Sequence, residues 1–205
     1  MVFVVGGFLF IWQGGCQAET LGQSDRVSQQ EKAFKLFRQI FEMSSGVERA
    51  VNFSRMQELY QQIIVECPDA PLAQESYLRL ITMAFESEPP QTKNALSLFE
   101  RFKKKYPNSP LMNSIRSTLT KLLYGTQAWQ ELLDMESPLV EQYFVSGKIA
   151  SPVSIFYYAE ANYHLQAYSE AAKGYRAIID NYGETRMAPI AALRMDKIKM
   201  KGIVL

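Results

Sequence analysis

The sequence predicts an all-α chain built as a stack of antiparallel helical hairpins, and three observations carry that expectation. A junction recurs: Cys67-Pro68-Asp69-Ala70-Pro71-Leu72-Ala73 returns as Tyr106-Pro107-Asn108-Ser109-Pro110-Leu111-Met112 and again as Tyr182-Gly183-Glu184-Thr185-Arg186-Met187-Ala188. The offsets are 39 and then 76 residues, one period hit and then one missed and one hit. A period just under 40 residues in a helix-rich chain marks stacked supersecondary units.

The helix entering each junction repeats one apolar face in one register. Its members are Met56, Leu59, Tyr60, Ile63 and Cys67, then Ala95, Leu98, Phe99, Phe102 and Tyr106, then Ala171, Tyr175, Ile178 and Tyr182 with Gly174 in the second place. That spacing lines one side of a 3.6-residue helix. Proline supplies the third observation. Ala70-Pro71, Ser109-Pro110, Ser137-Pro138 and Ser151-Pro152 place it where a helix starts, because its missing N–H would be unpaired there anyway. Three of the four follow a serine able to cap the free amides.

Taken in order, the chain opens with a signal-like segment over residues 1–16, whose apolar run from Met1 to Trp12 suits a secretory h-region and is too short to span a bilayer. No Lys or Arg precedes Arg26, so the basic n-region is missing, and we expect the true start to lie upstream. Cys16 behind two glycines is similar to a bacterial lipobox, with Gln13 where leucine is usual, and is the candidate lipidation site. Cleavage at the small-x-small run Cys16-Gln17-Ala18 would instead release a soluble protein. Residues 17–27 read as a flexible tether, and 28–205 as the repeat domain.

Within that domain a helix over 28–43 is broken at Ser44-Ser45-Gly46, and a second, re-capped near Ser54 and Gln57, runs to Glu66. Helices follow over about 71–87, 90–106, 110–124, 126–136, 138–146, 152–165, 168–182 and 187–201, about four to five hairpins in all. The Gly125 to Ala150 region fits the pattern poorly, with Pro138 dividing it. The last helix presents Arg194, Asp196, Lys197, Lys199 and Lys201 as a polar cap.

Val153 to Gly183 matches the tetratricopeptide pattern: Ala159 and Ala171 at the small positions of the helix crossing, Tyr168 at the turn aromatic, Tyr175 at the large apolar position, Gly183 where proline is usual. Ala95, Phe99 and Pro107, with Tyr60 and Pro68, occupy packing positions of the other copies, where Met56 departs from the second small residue. The Tyr-Pro-x-Ser-Pro junction resembles those of tetratricopeptide-type envelope proteins of the BamD and CpoB kind. That resemblance implies a right-handed superhelix and a non-catalytic protein-interaction scaffold in the bacterial envelope. It implies an outer-membrane lipoprotein facing the periplasm or a soluble periplasmic protein, with other envelope proteins or peptides as partners. Rival readings are a component of outer-membrane β-barrel assembly, a helical accessory domain of a cell-wall-cleaving enzyme, and a cytoplasmic repeat protein with a misread N-terminus. In such proteins the first helix of each hairpin lines a groove. By register, Val153, Phe156, Glu160, Tyr163 and His164 face it, a mixture suited to a peptide or partner helix.

Composition bounds the rest. With 205 residues, 47% of them hydrophobic, the chain can bury a substantial core. A net charge of +1 gives no reason to expect nucleic acid, and Arg101 with Lys103-Lys104-Lys105 reads as a solvated outer face. One histidine and two cysteines 51 positions apart argue against zinc, and no phosphate loop or nucleophile elbow is present, so neither catalysis nor a cofactor is expected. Cys67 stands where other copies have tyrosine and reads as a small buried hydrophobe.

Overall fold

A computed structural model of the chain describes residues 15–44, 46–147 and 150–202, without the side chains of residues 15–22, 46 and 47. The signal-like residues 1–14 and the Cys16 side chain lie outside that description. Ten helices and no strand occur among the described residues: α1 Gly15–Glu42, α2 Gly46–Val51, α3 Phe53–Glu66, α4 Pro71–Glu86, α5 Thr92–Lys105, α6 Met112–Gly125, α7 Trp129–Ser146, α8 Pro152–His164, α9 Tyr168–Asn181 and α10 Ala188–Met200. The all-α solenoid expected from the repeat is therefore observed.

The chain divides into two compact units, Met1–Leu80 and Ile81–Leu205, with α4 crossing from one to the other. In the first unit α1 and the short α2 pack on α3. Ala33, Leu36 and Ile40 of α1 are buried, as are Met56, Leu59, Tyr60, Ile63 and Ile64 of α3. Lys32 closes an ion pair with Glu66 at 2.6 Å, and the Asp69 amide donates to Gln29 Oε1 at 3.0 Å. Residues 17–27, expected as a tether, fall within α1; Gln23, Asp25 and Arg26 are exposed there, and their neighbours are mostly residues at ease in a helix. Helix α3 starts at Phe53 behind Asn52, one residue before the expected cap at Ser54.

In the second unit α5, α6, α7, α8, α9 and α10 pack one on the next in chain order, and α6 also touches α8. The three junctions have one geometry. Cys67, Tyr106 and Tyr182 end their helices at φ/ψ of −128/49, −127/60 and −138/35, each donating its amide to the carbonyl four residues back. The amides of Ala70, Ser109 and Thr185 then donate to those same three residues at 3.0 to 3.1 Å. Pro68, Pro107 and Gly183 thus occupy one corner three times. Proline already fits two of the three, so Gly183→Pro is expected to raise stability by about 0.4–1 kcal/mol through the unfolded chain. A rise in the denaturation midpoint at unchanged slope is the check.

The hairpin turns repeat as well. Gln127 and Gln166 both adopt left-handed backbone, with φ of 58° and 64°. The next amides, of Ala128 and Ala167, reach back to Leu123 and Asn162 at 3.0 and 2.9 Å. These turns lie 39 residues apart, so the α6–α7 pair is a full repeat of α8–α9.

Pro138 does not divide α7, which runs unbroken past it. Leu132 and Glu136 before the proline and Val140 after it are all buried, so packing on both sides carries the helix through the lost hydrogen bond. Ser137 is accordingly mid-helix and caps nothing. Ser109 and Ser151 do act at helix entries: Leu111 N donates to Ser109 Oγ at 3.0 Å, and Val153 N to Ser151 Oγ at 3.2 Å. Helix α6 begins at Met112, with Pro110 in the preceding turn.

Candidate functional site

Helix α8 is the middle of the second unit's row, and its groove-register residues differ widely in what they meet. Val153 is 42% exposed. Phe156 is buried beside Tyr124, the ring centroids 6.4 Å apart. Tyr163 is half-buried, its ring edge-on to Tyr168 and Tyr175 and covered by the Arg194 guanidinium at 4.7 Å. His164 stacks flat on Trp129 of α7, centroids 4.0 Å apart and planes 3° from parallel.

Glu160 is fully buried, and four helices supply groups to it or hold it. Tyr175 Oη of α9 donates to Oε1 at 2.6 Å, and Tyr124 Oη of α6 to Oε2 at 3.2 Å. Arg194 of α10 forks across both oxygens, Nε on Oε1 and Nη2 on Oε2, each at 2.8 Å. A bidentate guanidinium plus two hydroxyls satisfies the carboxylate's acceptor sites. Burial opposes ionisation of Glu160, but the hydrogen bonds from Arg194 and Tyr175 outweigh it and hold the carboxyl below its ordinary value of 4.5. For His164 burial dominates and lowers its pKa, Arg194 adding to that effect and Glu160, 3.9 Å away, opposing it.

Two of the groove assignments are corrected by this geometry. Glu160 and Phe156 do not present themselves to a ligand: the carboxylate is consumed by its four donors and the ring is part of the core. Arg194 likewise leaves the outer face assigned to it, because the Glu160 carboxylate draws it inward. Val153, Tyr163 and His164 retain accessible surface.

Prolines Pro152 and Pro189 align α8 with α10 at a shift of 37 residues, which places Ile190, Leu193, Lys197 and Met200 at the register of Val153, Phe156, Glu160 and Tyr163. Ile190, Leu193 and Met200 are 44%, 57% and 85% exposed, and Lys197 is exposed beside them. The charges of α10 suggest a polar cap from sequence, and these apolar positions lie alongside them. Asp196 and Lys199 do form a polar, exposed side of α10, at the register where α8 packs on α9.

A second buried carboxylate lies one repeat earlier. Glu136 of α7 accepts from Thr120 Oγ1 at 2.9 Å and from Arg116 Nη2 at 3.1 Å, and Arg116 also donates to the Met135 carbonyl at 3.2 Å. Arg116, Thr120 and Glu136 stand 39 residues before Ile155, Ala159 and Tyr175. Arg116 sits between two clefts of about 430 and 400 Å³, one over α5, α6 and α7 and one over α6, α7 and α8.

Of the packing residues named from sequence, Tyr60, Ala95, Phe99, Ala159, Ala171 and Tyr175 are buried, Pro68 is half-buried and Pro107 exposed at its corner. Cys67 is fully buried as a free thiol, its pKa raised by that burial, so it is poorly suited to react. Lys103, Lys104 and Lys105 are exposed, Lys103 pairing with Glu100 at 2.7 Å. Among the described residues no cluster of His, Cys, Asp or Glu could hold a metal ion, and no helix is long and apolar enough to cross a membrane.

The family profile of the tetratricopeptide repeat matches residues 91–109 and 154–185, which cover α5 with its junction and the α8–α9 hairpin. No curated protein matches the chain. The two matched stretches and the all-helical fold support a tetratricopeptide-like reading, and repeats of that kind support a protein–protein interaction scaffold in general.

Proposed function

We propose that the protein is a non-catalytic interaction scaffold of the bacterial cell envelope, held to the outer membrane on its periplasmic side through lipidated Cys16, whose partners are other envelope proteins or peptides. The observation that carries the scaffold reading is the groove register itself: α8, the first helix of its hairpin, leaves Val153 and His164 accessible, and α10, aligned with it, leaves Ile190, Leu193 and Lys197 accessible. Underneath, the buried Glu160 network fixes those helices in place. Apolar and aromatic surface on rigid helices binds a partner segment with little ordering cost. The envelope and the anchor rest on the apolar Met1 to Trp12 run and the lipobox-like Cys16.

The test has two arms. A photo-crosslinking residue placed at Val153 is expected to capture a defined envelope protein in living cells, while one at exposed Lys104 is not; equal capture at both, or none at Val153, overturns the groove. Incorporation of a palmitate analogue is expected in the wild type and absent in Cys16→Ser. Equal labelling, or none in either, overturns the anchor.

A further inference from the structure

The second unit carries two exposed surfaces of opposite charge on an apolar ground. One is the stripe on α10, where Ile190, Leu193 and Met200 project with Lys197 among them and Lys201 beside them. The other is the cleft of about 430 Å³ over α5, α6 and α7, whose apolar lining includes Phe99, Met112, Met135 and Leu139.

Charge decides what that cleft accepts. Its two cations are already neutralised, Lys103 by Glu100 at 2.7 Å and Arg116 by Glu136 at 3.1 Å. Its other two carboxylates have no cation among the described residues: Asp134 accepts only from the Gln130 amide at 2.8 Å, and Glu131 stands in the first turn of α7. The cleft is therefore apolar with a residual negative rim. It fits large apolar side chains borne on a basic helix, which is the chemistry of the α10 stripe.

We infer that α10 of one copy docks in the α5–α7 cleft of a second copy, so that the protein associates with itself head to tail. Leu193 and Met200 enter the cleft, and Lys197 and Lys201 meet Glu131 and Asp134. The two surfaces are different patches of one chain, so the contact is heterologous and leaves a free stripe and a free cleft at the ends of every dimer. Growth with concentration follows, and salt weakens it because the charge pairs are at the rim.

Sedimentation velocity of the purified full chain over a range of concentrations reads this directly. The expected result is a mass that rises with concentration and falls back on added salt. Reversing either rim, with Glu131→Lys and Asp134→Lys in one variant and Lys197→Glu and Lys201→Glu in another, weakens association by about tenfold or more. Mixing the two reversed variants restores association, because the unaltered stripe of one fits the unaltered cleft of the other and the altered stripe fits the altered cleft. All four positions are solvent-accessible, and Leu193→Ser provides a reading without charge change. A single mass at every concentration overturns the inference, as do association that survives both reversals and a mixture that stays monomeric. A monomer that takes up a synthetic basic amphipathic peptide instead also overturns it.

Discussion

Arg194→Leu is expected to destabilise the second unit by about 3–5 kcal/mol, because it strands the Glu160 carboxylate in a fully buried site with only two hydroxyl donors. Leucine keeps much of the volume, so the loss reports the charge and not a cavity. The pair's own net worth is much smaller: exchanging both partners for apolar residues is near neutral in comparable sites. Acid exposes the same interaction. The folded-state pKa values of Glu160 and His164 are both lowered, so the unfolded chain binds more protons once the pH drops below their ordinary values of 6.5 for His164 and 4.5 for Glu160. Their contribution is present above those values and is lost as the pH falls through the folded ones. Urea titrations between pH 7 and pH 3 are expected to show a falling midpoint, and Glu160→Gln flattens the lower part of the curve.

The second large effect is expected at the crossing of α8 and α9. A Cβ added to Gly174 would lie 2.9 Å from Ala159 Cβ and 3.5 Å from the Ile155 carbonyl oxygen. The neighbouring atoms belong to a backbone and a methyl group, neither of which can swing aside. Gly174→Ala must push the helices apart by a few tenths of an ångström, and Gly174→Leu must separate them outright. The expected cost of the leucine variant is about 3 kcal/mol, at the upper end for overpacking. Thermal unfolding by circular dichroism measures it, with Gly125→Leu as the reference, because an added Cβ at Gly125 meets nothing within 4 Å.

Much of this architecture was legible because the repeated corner is a backbone feature. Pro68, Pro107 and Gly183 report a bend that only certain residues enter easily, and the apolar face of α3, α5 and α9 reports burial on one side of a regular helix. The α6–α7 repeat was hidden by its chemistry. Where the next repeat has Ile155, Ala159 and Tyr175, this one packs a half-buried Arg116 with the buried Thr120 and Glu136, so an apolar template finds nothing. The signal was present elsewhere, in Tyr124 to Glu131 and Tyr163 to Glu170, which share Tyr, Gln-Ala, an aromatic and Glu at equal spacing.

The groove was legible only as a register. Helical spacing says that Glu160 lies on the face of Val153 and Tyr163, but not that Tyr124, Tyr175 and Arg194 close over it from three other helices. Those contacts join positions 34 to 36 residues apart or sit across a hairpin, and no local pattern encodes them. Pro138 failed for a related reason: its local preference to start a helix is overridden by burial on both sides of it.

Stacked hairpins require that α8 and α10 face each other across the row although α9 separates them in the chain. A double-mutant cycle on Glu160→Leu and Arg194→Leu, followed by urea unfolding at pH 7, measures that adjacency. The expected result is a coupling of about 3 kcal/mol: the double variant loses much less than the two single losses combined, and its remaining deficit of about 1–3 kcal/mol is the buried Tyr175 hydroxyl left without its acceptor. Additive losses with no coupling would mean that the two helices do not meet, and the stack described for this chain would be wrong.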